Sequence, residues 1–435
     1  MKIFFKFCIF ITGIFIIANI LVFFLKDDKN TYSRLVMYDF YDQEQIDYLF
    51  CGASHVSHGV NPQFLSKELN KNCFCLGTSA QKISTTYFLI KEAINKYNPK
   101  TILVDLDFGM AIGEPKPFFE KKPSKDIYIV SSYLRNPLIK TQYLLSMTAP
   151  KYYINSFFPL GIYKDISLDP KVFIENIKSK IITKDYFNYT YKSKDSTYQR
   201  GGVILKNSQI EDGSFHSFEE NISKIPESLN IEWQKYVKKI IDLCKQNDIN
   251  LFFYSAPIPD YFLTVSGDYD LYHSFVKSFL ASYGYVFYDF SLCKPEFLNL
   301  KDSDYYDYNH LNKDGIEKFT CIFSDFLAEK ITSERLFFSS YKEKKENQKP
   351  SVYGIVIKQN EETGLISINA VSNISVPGKI SFAVYEITSD DEKLINSKKT
   401  ADGITFSKQP GKIKIKTFYE DAVQTNCTVD FKENS

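Results

Sequence analysis

The chain has 435 residues and is nearly neutral, with 53 Lys and Arg against 52 Asp and Glu. Apolar residues make up 44% and aromatic residues 16%, which is enough to bury a sizeable core and excludes a disordered chain. A formal charge of +1 gives no global attraction to nucleic acid, so we expect no nucleic-acid partner. At roughly 100–200 residues per domain, the length predicts two or three domains.

The first predicted element is the uncharged apolar run Phe7–Leu25. At 1.5 Å rise per residue it spans about 28 Å, close to the hydrocarbon thickness of a bilayer. A cleaved signal peptide is the alternative, but the sequence FFLKDDKN at the end of the run offers no small-x-small cleavage site. We therefore predict a retained single-pass anchor in residues 1–28. Basic residues lie on both sides of the run, so the positive-inside rule is nearly balanced. The short basic head favours a cytoplasmic N-terminus and extracytoplasmic C-terminal domains.

Residues 29–340 are predicted to form an α/β domain. Apolar runs predict strands at Ile46–Ser54, Cys73–Gly77, Thr101–Asp107, Asn250–Ser255 and Tyr285–Phe290. Helical patterns lie between and after them at Pro62–Asn70, Thr85–Tyr97, Pro226–Asn247, Tyr269–Tyr283 and Asp314–Lys330. Continuous apolar strands that alternate with helices are typical of a parallel sheet covered on both faces.

An insertion at about residues 110–225 interrupts this alternation. It is rich in Tyr, Lys, Ser and Pro, and it holds one clear helical pattern near Ile127–Leu145 and the pair Gly201-Gly202. We predict that it caps one end of the sheet.

The C-terminal region is predicted to be a separate Ig-like β-sandwich at residues 351–435, behind a charged linker at 341–350 that few contacts cross. Turn residues separate most of its short alternating stretches, as expected of a sandwich. These stretches are Val352–Lys358, Leu365–Val371, Lys379–Ile387, Lys393–Lys398, Ile404–Ser407, Lys412–Phe418 and Asn426–Phe431.

The cysteines predict free, buried thiols. Cys8 lies in the apolar run, which leaves an odd number of others, several of them in predicted strands or helices. Cys73 and Cys75 have the wrong spacing for zinc and no His nearby, so we predict no metal site.

A first candidate site segment, FCGASH, follows the first strand and contains Ser54. Ligand sites in open α/β sheets lie at the carboxyl ends of strands. Gly52 and Ala53 allow a tight exit that leaves the Ser54 hydroxyl accessible and its N–H open towards an oxyanion. The alternative is an ordinary polar residue at a strand end. The neighbouring His55 is expected to be structural or to support the loop.

A second segment, DYYDYNHLN, precedes the last predicted helix. A serine hydroxyl is a weak nucleophile and needs a base, a role that His310 suits. Asp307, three residues earlier, can hold Nδ1 of His310 and leave Nε2 for the serine. Asp304 is a less well spaced alternative. Taken alone, the segment also fits a polar surface loop in which Asn312 caps the helix.

Together the two segments resemble the SGNH-type (GDSL-like) hydrolases. GASHVSHGVNP and YYDYNHLNKDG match the nucleophile and D-x-x-H blocks of that family in order and place. The closer likeness is to its membrane-anchored branch, which is associated with O-acylation of cell-envelope polysaccharides. The resemblance covers about residues 45–330 and implies a three-layer flavodoxin-like fold, with Ser54 as nucleophile, His310 as base and Asp307 as orienter.

The resemblance also implies an oxyanion hole. The Ser54 amide and Gly77, in CLGTSAQ, match the family's first two donors. The third strand ends in LDFGM and lacks the family's GxND, so the third donor has no counterpart there. Ser79 and Gln81 are further candidates.

The implied function is a membrane-anchored, extracytoplasmic serine esterase or O-acyltransferase. Its expected substrate is an acyl group, with acetyl preferred, on a cell-envelope glycan. No cofactor is implied, and a multi-spanning membrane acyltransferase is a plausible partner. The alternative is a non-catalytic membrane-tethered protein that keeps the fold and binds a glycan or a partner. A structural surface protein is a third possibility, but it leaves both motifs unexplained.

Overall fold

The computed structural model describes residues 2–431 except 108–120, 162–163, 189–190, 192, 206–209, 223, 226–227, 361, 376–377, 389–390, 399–402 and 408–410. The helices are α1 Lys2–Leu25, α2 Tyr32–Asp42, α3 Ser54–Ser57, α4 Pro62–Leu69, α5 Ile83–Tyr97, α6 Lys125–Ser131, α7 Pro137–Met147, α8 Tyr153–Phe157, α9 Pro170–Ile177, α10 Ile231–Gln246, α11 Asp260–Ser266, α12 Tyr269–Ala281, α13 Lys313–Leu327, α14 Ser333–Leu336 and α15 Tyr341–Asn347. The strands are β1 Tyr48–Gly52, β2 Cys73–Gly77, β3 Thr101–Asp105, β4 Ser196–Gln199, β5 Gly202–Leu205, β6 His216–Phe218, β7 Asn250–Ser255, β8 Phe287–Asp289, β9 Val352–Asn360, β10 Leu365–Ser372, β11 Ile380–Ile387, β12 Glu392–Lys398, β13 Gly403–Ser407, β14 Gly411–Tyr419 and β15 Ala422–Phe431.

The central sheet has five parallel strands in the order β2-β1-β3-β7-β8. Successive side chains along a strand point to opposite faces of the sheet. Leu49 and Cys51 enter the core beneath α2, α5, α10 and α12, whereas Phe50 enters the core beneath α4 and α13. The three layers and the strand order are those of flavodoxin-like folds, so the predicted fold class is confirmed.

Within the insertion, the predicted helix at Ile127–Leu145 is instead two helices, α6 and α7. The break lies at Asn136-Pro137, because proline disfavours helical geometry in the residue before it and cannot continue a helix that precedes it. The Asn136 side chain accepts hydrogen bonds from the N–H groups of Leu138 (3.0 Å) and Ile139 (3.2 Å), so it caps α7.

The insertion also covers the β2 edge of the central sheet with the hairpin β4–β5. The Cys75 N–H donates to the Arg200 carbonyl (3.0 Å), and Arg200 Nε donates to the Cys73 carbonyl (2.9 Å). Gly201 has a φ of +83°, and a Cβ there would lie 1.8 Å from the Cys75 carbonyl oxygen. Only glycine fits this turn, which explains one residue of the Gly201-Gly202 pair.

Helix α1 is long and apolar enough to cross a membrane. The segment that follows it is hydrogen-bonded to the insertion. Asp28 is buried and accepts hydrogen bonds from the hydroxyls of Tyr133 and Tyr186, both at 2.9 Å. Arg34 Nη1 donates to the Lys29 carbonyl (2.9 Å). The domain therefore begins immediately beyond the end of the apolar helix.

The C-terminal region forms two four-stranded sheets, β13-β10-β9-β6 and β12-β11-β14-β15, around one apolar core. All seven predicted strands are present within about four residues of their predicted limits, and they pair antiparallel. The eighth strand, β6, belongs to the insertion and pairs parallel with β9, with His216 opposite Ile355. The sequence analysis did not predict this shared sheet.

The expectation that few contacts cross the linker is wrong. Residues 341–347 form α15, and the Tyr341 ring is buried, with its hydroxyl donating to the Asp260 carbonyl (2.9 Å). The buried Tyr261 hydroxyl donates to the Ile355 carbonyl in β9 (2.9 Å). Its ring stacks on Phe215 at a centroid distance of 5.4 Å. The sandwich and the α/β domain thus share an apolar boundary, despite the charged segment between them.

A chain that ends at Asn347 should therefore be less stable than the full chain. Removing the sandwich exposes Phe215 and Tyr261, at a cost of about 1.5–3 kcal/mol for each large apolar side chain. Thermal unfolding and solubility of the two chains test this expectation. A truncated chain with an unchanged melting temperature would show that the boundary contributes nothing to the stability of the α/β domain.

Candidate active site

Ser54 follows β1 at the carboxyl edge of the central sheet and begins the short helix α3. Gly52 and Gly77 are partners in the β1–β2 register. A Cβ on Gly77 would lie 2.6 Å from the Ala53 carbonyl oxygen, and a Cβ on Gly52 would lie 2.9 Å from the Cβ of Asp105. The two glycines therefore allow the turn that presents Ser54 to pack directly on the neighbouring strands.

Asp307 and His310 lie in one tight loop before α13. The Tyr306 N–H donates to the His310 carbonyl (2.7 Å) and closes the loop. Asp307 Oδ1 accepts hydrogen bonds from the N–H groups of Asn309 (3.0 Å) and His310 (2.9 Å). An aspartate that bonds to the backbone two and three residues ahead stabilises such a turn, so the D-x-x-H spacing itself places the carboxylate beside the imidazole.

The rest of the motif joins this loop to α13. Leu311 is buried, and Asn312 caps the helix by accepting from the N–H groups of Asp314 (3.0 Å) and Gly315 (3.2 Å). A Cβ on Gly315 would lie 2.2 Å from the Asp304 carbonyl oxygen. Each of these residues fixes the loop against the first turn of α13.

The structure brings the three predicted site residues into one hydrogen-bonded chain. His310 Nε2 lies 2.7 Å from Ser54 Oγ. His310 Nδ1 lies 2.8 Å from Asp307 Oδ2 and 2.9 Å from Oδ1. Burial raises the pKa of Asp307, but the hydrogen bonds and charge of His310 and the two N–H donors outweigh burial and hold the pKa below its usual value. An ionised Asp307 keeps the proton on Nδ1 and leaves Nε2 to accept from the serine hydroxyl.

A second His–Asp pair lies behind the first. His55 Nδ1 is 3.4 Å from Asp107 Oδ2, and His55 Nε2 is 3.0 Å from the Asn309 carbonyl oxygen. Burial lowers the pKa of His55, but the carboxylates of Asp107 and Asp105 outweigh burial and raise the pKa to about 9. His55 is therefore a cation at neutral pH, and its Nε2–H donates to the residue before His310. This agrees with the expectation that His55 supports the loop.

Sequence reasoning missed the role of a third histidine, His58. Its ring lies 5.4 Å from the His310 ring, edge to face, and its Nδ1 is 3.3 Å from the Val203 carbonyl in the hairpin β4–β5. Burial, aided by the charge of His310, lowers the pKa of His58 to about 4, so it is neutral at neutral pH. The insertion thereby reaches the site.

Asp105 ends β3 and is buried. Its Oδ1 accepts from the Ala256 N–H (3.0 Å), and burial raises its pKa to about 7. It therefore joins β3 to the exit of β7, and it carries its full negative charge next to His55 only above about pH 7.

Of the predicted oxyanion residues, Gly77 ends β2 and Ser54 follows the end of the adjacent strand β1. The Gln81 side chain is engaged elsewhere, because its Oε1 accepts from Thr78 Oγ1 (3.0 Å) and its Nε2 donates to Thr86 Oγ1 (2.9 Å). Ser79 is exposed. Residues 108–110, at the position of the missing GxND block, lie outside the described residues. In the part of the chain that the structure describes, no cluster of three or more His, Cys, Asp or Glu side chains fits a metal ion.

Aromatic rings connect the loop to the sandwich boundary. The Tyr308 ring packs against Phe215 (5.9 Å between centroids) and His216 (6.5 Å). Phe215 in turn stacks on Tyr261. The residue between Asp307 and Asn309 is thus supported by the layer that the insertion and the sandwich share.

Comparisons with known proteins find solved structures of low similarity. The chain is similar to a solved structure assigned to the G-D-S-L family of lipolytic proteins from Desulfitobacterium hafniense, at 9% identity and a TM-score of 0.31, over 64% of this chain and 97% of that one. It is also similar to a GDSL-like lipase from Bacteroides thetaiotaomicron, at 7% identity and a TM-score of 0.28, over 70% of this chain and all of that one. A third is an acetyl xylan esterase, at 14% identity and a TM-score of 0.21, over 65% and 99%. No family model and no curated protein matches the chain.

The charge of His55 predicts a pH-dependent contribution to stability. Its folded pKa of about 9 lies above the ordinary value of about 6.5. The contribution of the His55 charge to the free energy of unfolding is therefore complete below about pH 6.5 and is lost as the pH rises through about 9. We expect His55→Gln to lower the free energy of unfolding by on the order of 2 kcal/mol at pH 6.5 and by much less at pH 9.5. Urea unfolding at both pH values measures this difference.

The matched control is His58→Gln. Because the pKa of His58 is about 4, its charge does not change between pH 6.5 and 9.5, and the cost of this substitution should be nearly the same at both pH values. An equal cost of His55→Gln at the two pH values would contradict the cationic state of His55.

Proposed function

We propose that this protein is a membrane-anchored, extracytoplasmic serine esterase or O-acyltransferase. Its substrates in this proposal are acyl groups, preferably acetyl, on cell-envelope glycans, and an acyl-enzyme forms on Ser54. The observation that supports the chemistry is the Ser54–His310–Asp307 chain, with 2.7 Å between Oγ and Nε2 and 2.8 Å between Nδ1 and Oδ2. A nucleophile, a base and an orienting carboxylate at these distances form a geometry suited to acyl transfer.

In the first half-reaction, His310 Nε2 takes the proton of the Ser54 hydroxyl as Oγ attacks the ester carbonyl carbon. Asp307 stabilises the imidazolium that forms. The backbone N–H groups of Ser54 and Gly77 are the proposed donors to the oxyanion. The tetrahedral intermediate then collapses, the C–O bond to the leaving alcohol breaks, and His310 returns the proton to that alcohol.

In the second half-reaction, an acceptor hydroxyl replaces the leaving alcohol. His310 takes its proton, the new oxygen attacks the acyl carbon, and Ser54 Oγ leaves with the proton from His310. Water as acceptor gives hydrolysis, and a sugar hydroxyl gives transfer. For transfer, a multi-spanning membrane acyltransferase is the proposed partner that supplies the acyl group.

The openness of the site supports a large, polar substrate. The side chains of His310 and Asp307 are 20% and 41% exposed, and the Tyr308 ring beside them is 39% exposed. A carbohydrate chain can approach such an edge without entering a deep cavity. The exposed apolar helix α1 supports membrane attachment.

The nucleophile can be tested with a fluorophosphonate probe, which forms a covalent bond with activated serines. We expect the full chain in detergent to be labelled and to hydrolyse a small acetyl ester. Ser54→Ala should abolish both, with nearly unchanged thermal stability because Ser54 is partly exposed. Full labelling of Ser54→Ala would remove Ser54 from this role. An unlabelled wild-type chain would instead favour a non-catalytic binding protein.

The orienting carboxylate can be tested by comparing Asp307→Asn with Asp304→Asn. Asp307→Asn removes the negative charge that stabilises the imidazolium, and it should lower kcat by about 10⁴. Asp304 is buried, pairs with Lys318 (2.7 Å) and accepts from the Lys301 N–H (2.7 Å). Asp304→Asn should therefore lower the melting temperature, and it should lower kcat much less than Asp307→Asn does. The reverse ranking in kcat for the ester would make Asp304 the orienting group.

A further inference from the structure

Part of the insertion is attached to the C-terminal end of the apolar helix α1. Lys180 Nζ donates to the Phe23 carbonyl (2.6 Å), and Asn176 Nδ2 donates to the carbonyls of Phe24 (2.9 Å) and Lys26 (3.1 Å). The last carbonyls of a helix lack partners within the helix, and a cation there is favourable. Helix α9 and the π-helical turn Lys178–Ile182 that continues it thus cap α1.

Two further contacts fix this segment beside the helix end. The Phe173 ring lies 6.0 Å from the Phe24 ring, centroid to centroid. Beyond the helix, Lys29 Nζ lies 3.7 Å from Glu175 and 3.1 Å from Asp185. The segment therefore lies at the level of the last turn of α1, where a spanning helix leaves the hydrocarbon.

Four aliphatic side chains of the same segment are exposed. Leu168 is 82% exposed, Ile174 64%, Ile181 52% and Ile182 71%. Ile174 lies in α9, and Ile181 and Ile182 lie in the π-helical turn that continues it. Phe173, which precedes Ile174, contacts the Phe24 ring of α1, and the surface of α1 before its last turn is exposed and apolar.

Three lysines lie among these apolar side chains in the sequence, together with Asp169, which caps α9, and Glu175, which pairs with Lys29. Lys171, Lys178 and Lys184 are all exposed. An amphipathic segment with aliphatic residues on one side and lysines beside them is typical of helices that lie in the headgroup layer of a membrane. Lysines at that depth are attracted to anionic lipids.

We propose that residues 168–184 form a second membrane contact, the interfacial segment. In it, Leu168, Ile174, Ile181 and Ile182 enter the boundary of the acyl chains, and the lysines face anionic headgroups. The inference rests on the membrane anchor of the proposed function and adds a surface that the anchor does not require. Lipid is the occupant because these exposed aliphatic side chains belong to a segment that the Asn176 and Lys180 hydrogen bonds fix to the last turn of α1, where a spanning helix leaves the hydrocarbon.

The test uses the full chain, reconstituted into vesicles of phosphatidylcholine and phosphatidylglycerol with brominated acyl chains, which quench tryptophan fluorescence on contact. Ile181→Trp reports on the interfacial segment. Leu394→Trp, in β12 of the sandwich, is the matched control, because Leu394 is 53% exposed and Ile181 52%. The single native tryptophan, Trp233, gives both variants the same background.

We expect brominated lipid to reduce the emission of Ile181→Trp and to leave that of Leu394→Trp at the background level. Emission of Ile181→Trp that is blue-shifted but not quenched would show cover by protein, a second copy or a partner, and would overturn the inference. Equal quenching of both variants would overturn it as well.

Alkaline carbonate extraction of the same vesicles tests the membrane anchor separately from the interfacial segment. Release of the chain would overturn the membrane anchor, and the interfacial segment with it. Retention of the chain, with Ile181→Trp unquenched, would overturn the interfacial segment alone and leave the anchor in place.

Discussion

The hydrogen bond between Ser54 Oγ and His310 Nε2 joins two loops that are 256 residues apart in the chain. Each loop is held by contacts that its own short motif supplies. On the serine side, Gly52 and Gly77 let the end of β1 pack against β2 and β3. On the histidine side, Asp307 holds the turn. The parallel sheet brings both loops to one edge, because the carboxyl ends of its strands all lie there.

Much of the fold could be predicted from local patterns. Apolar runs and helical periodicity located the central strands and most helices, and alternation located the seven sandwich strands. The shared boundary could not be predicted in this way. Strand β6 has only three residues, too few for a periodic signal, and its pairing with β9 depends on segments that are far apart in the chain. The burial of Tyr341 could not be predicted either, because the residues that follow it are charged and indicate an exposed linker.

The candidate site, too, could be predicted only where its contacts are local in the sequence. The proximity of Asp307 and His310 follows from their spacing, so the sequence could indicate it. The contacts of His55 with Asp107 and of His58 with Val203 depend on how separate elements meet, and no local pattern indicates either contact. These contacts surround His310 with one cationic and one neutral histidine. Residues outside the D-x-x-H motif therefore contribute to the electrostatics of the proposed base, together with Asp307.

The parallel pairing of β6 with β9 has a consequence for the order of events during synthesis. His216 and Ile355 are partners in the register, and 139 residues separate them. At about 5–20 residues per second, β6 is made roughly 7–28 s before its partner. In the last third of that interval the nascent chain contains the loop with Asp307 and His310, but Phe215 and Tyr308 still lack the sandwich layer beside them. A ribosome that stalls or terminates early would release an α/β domain with an uncovered aromatic patch, a ready substrate for chaperones and proteases.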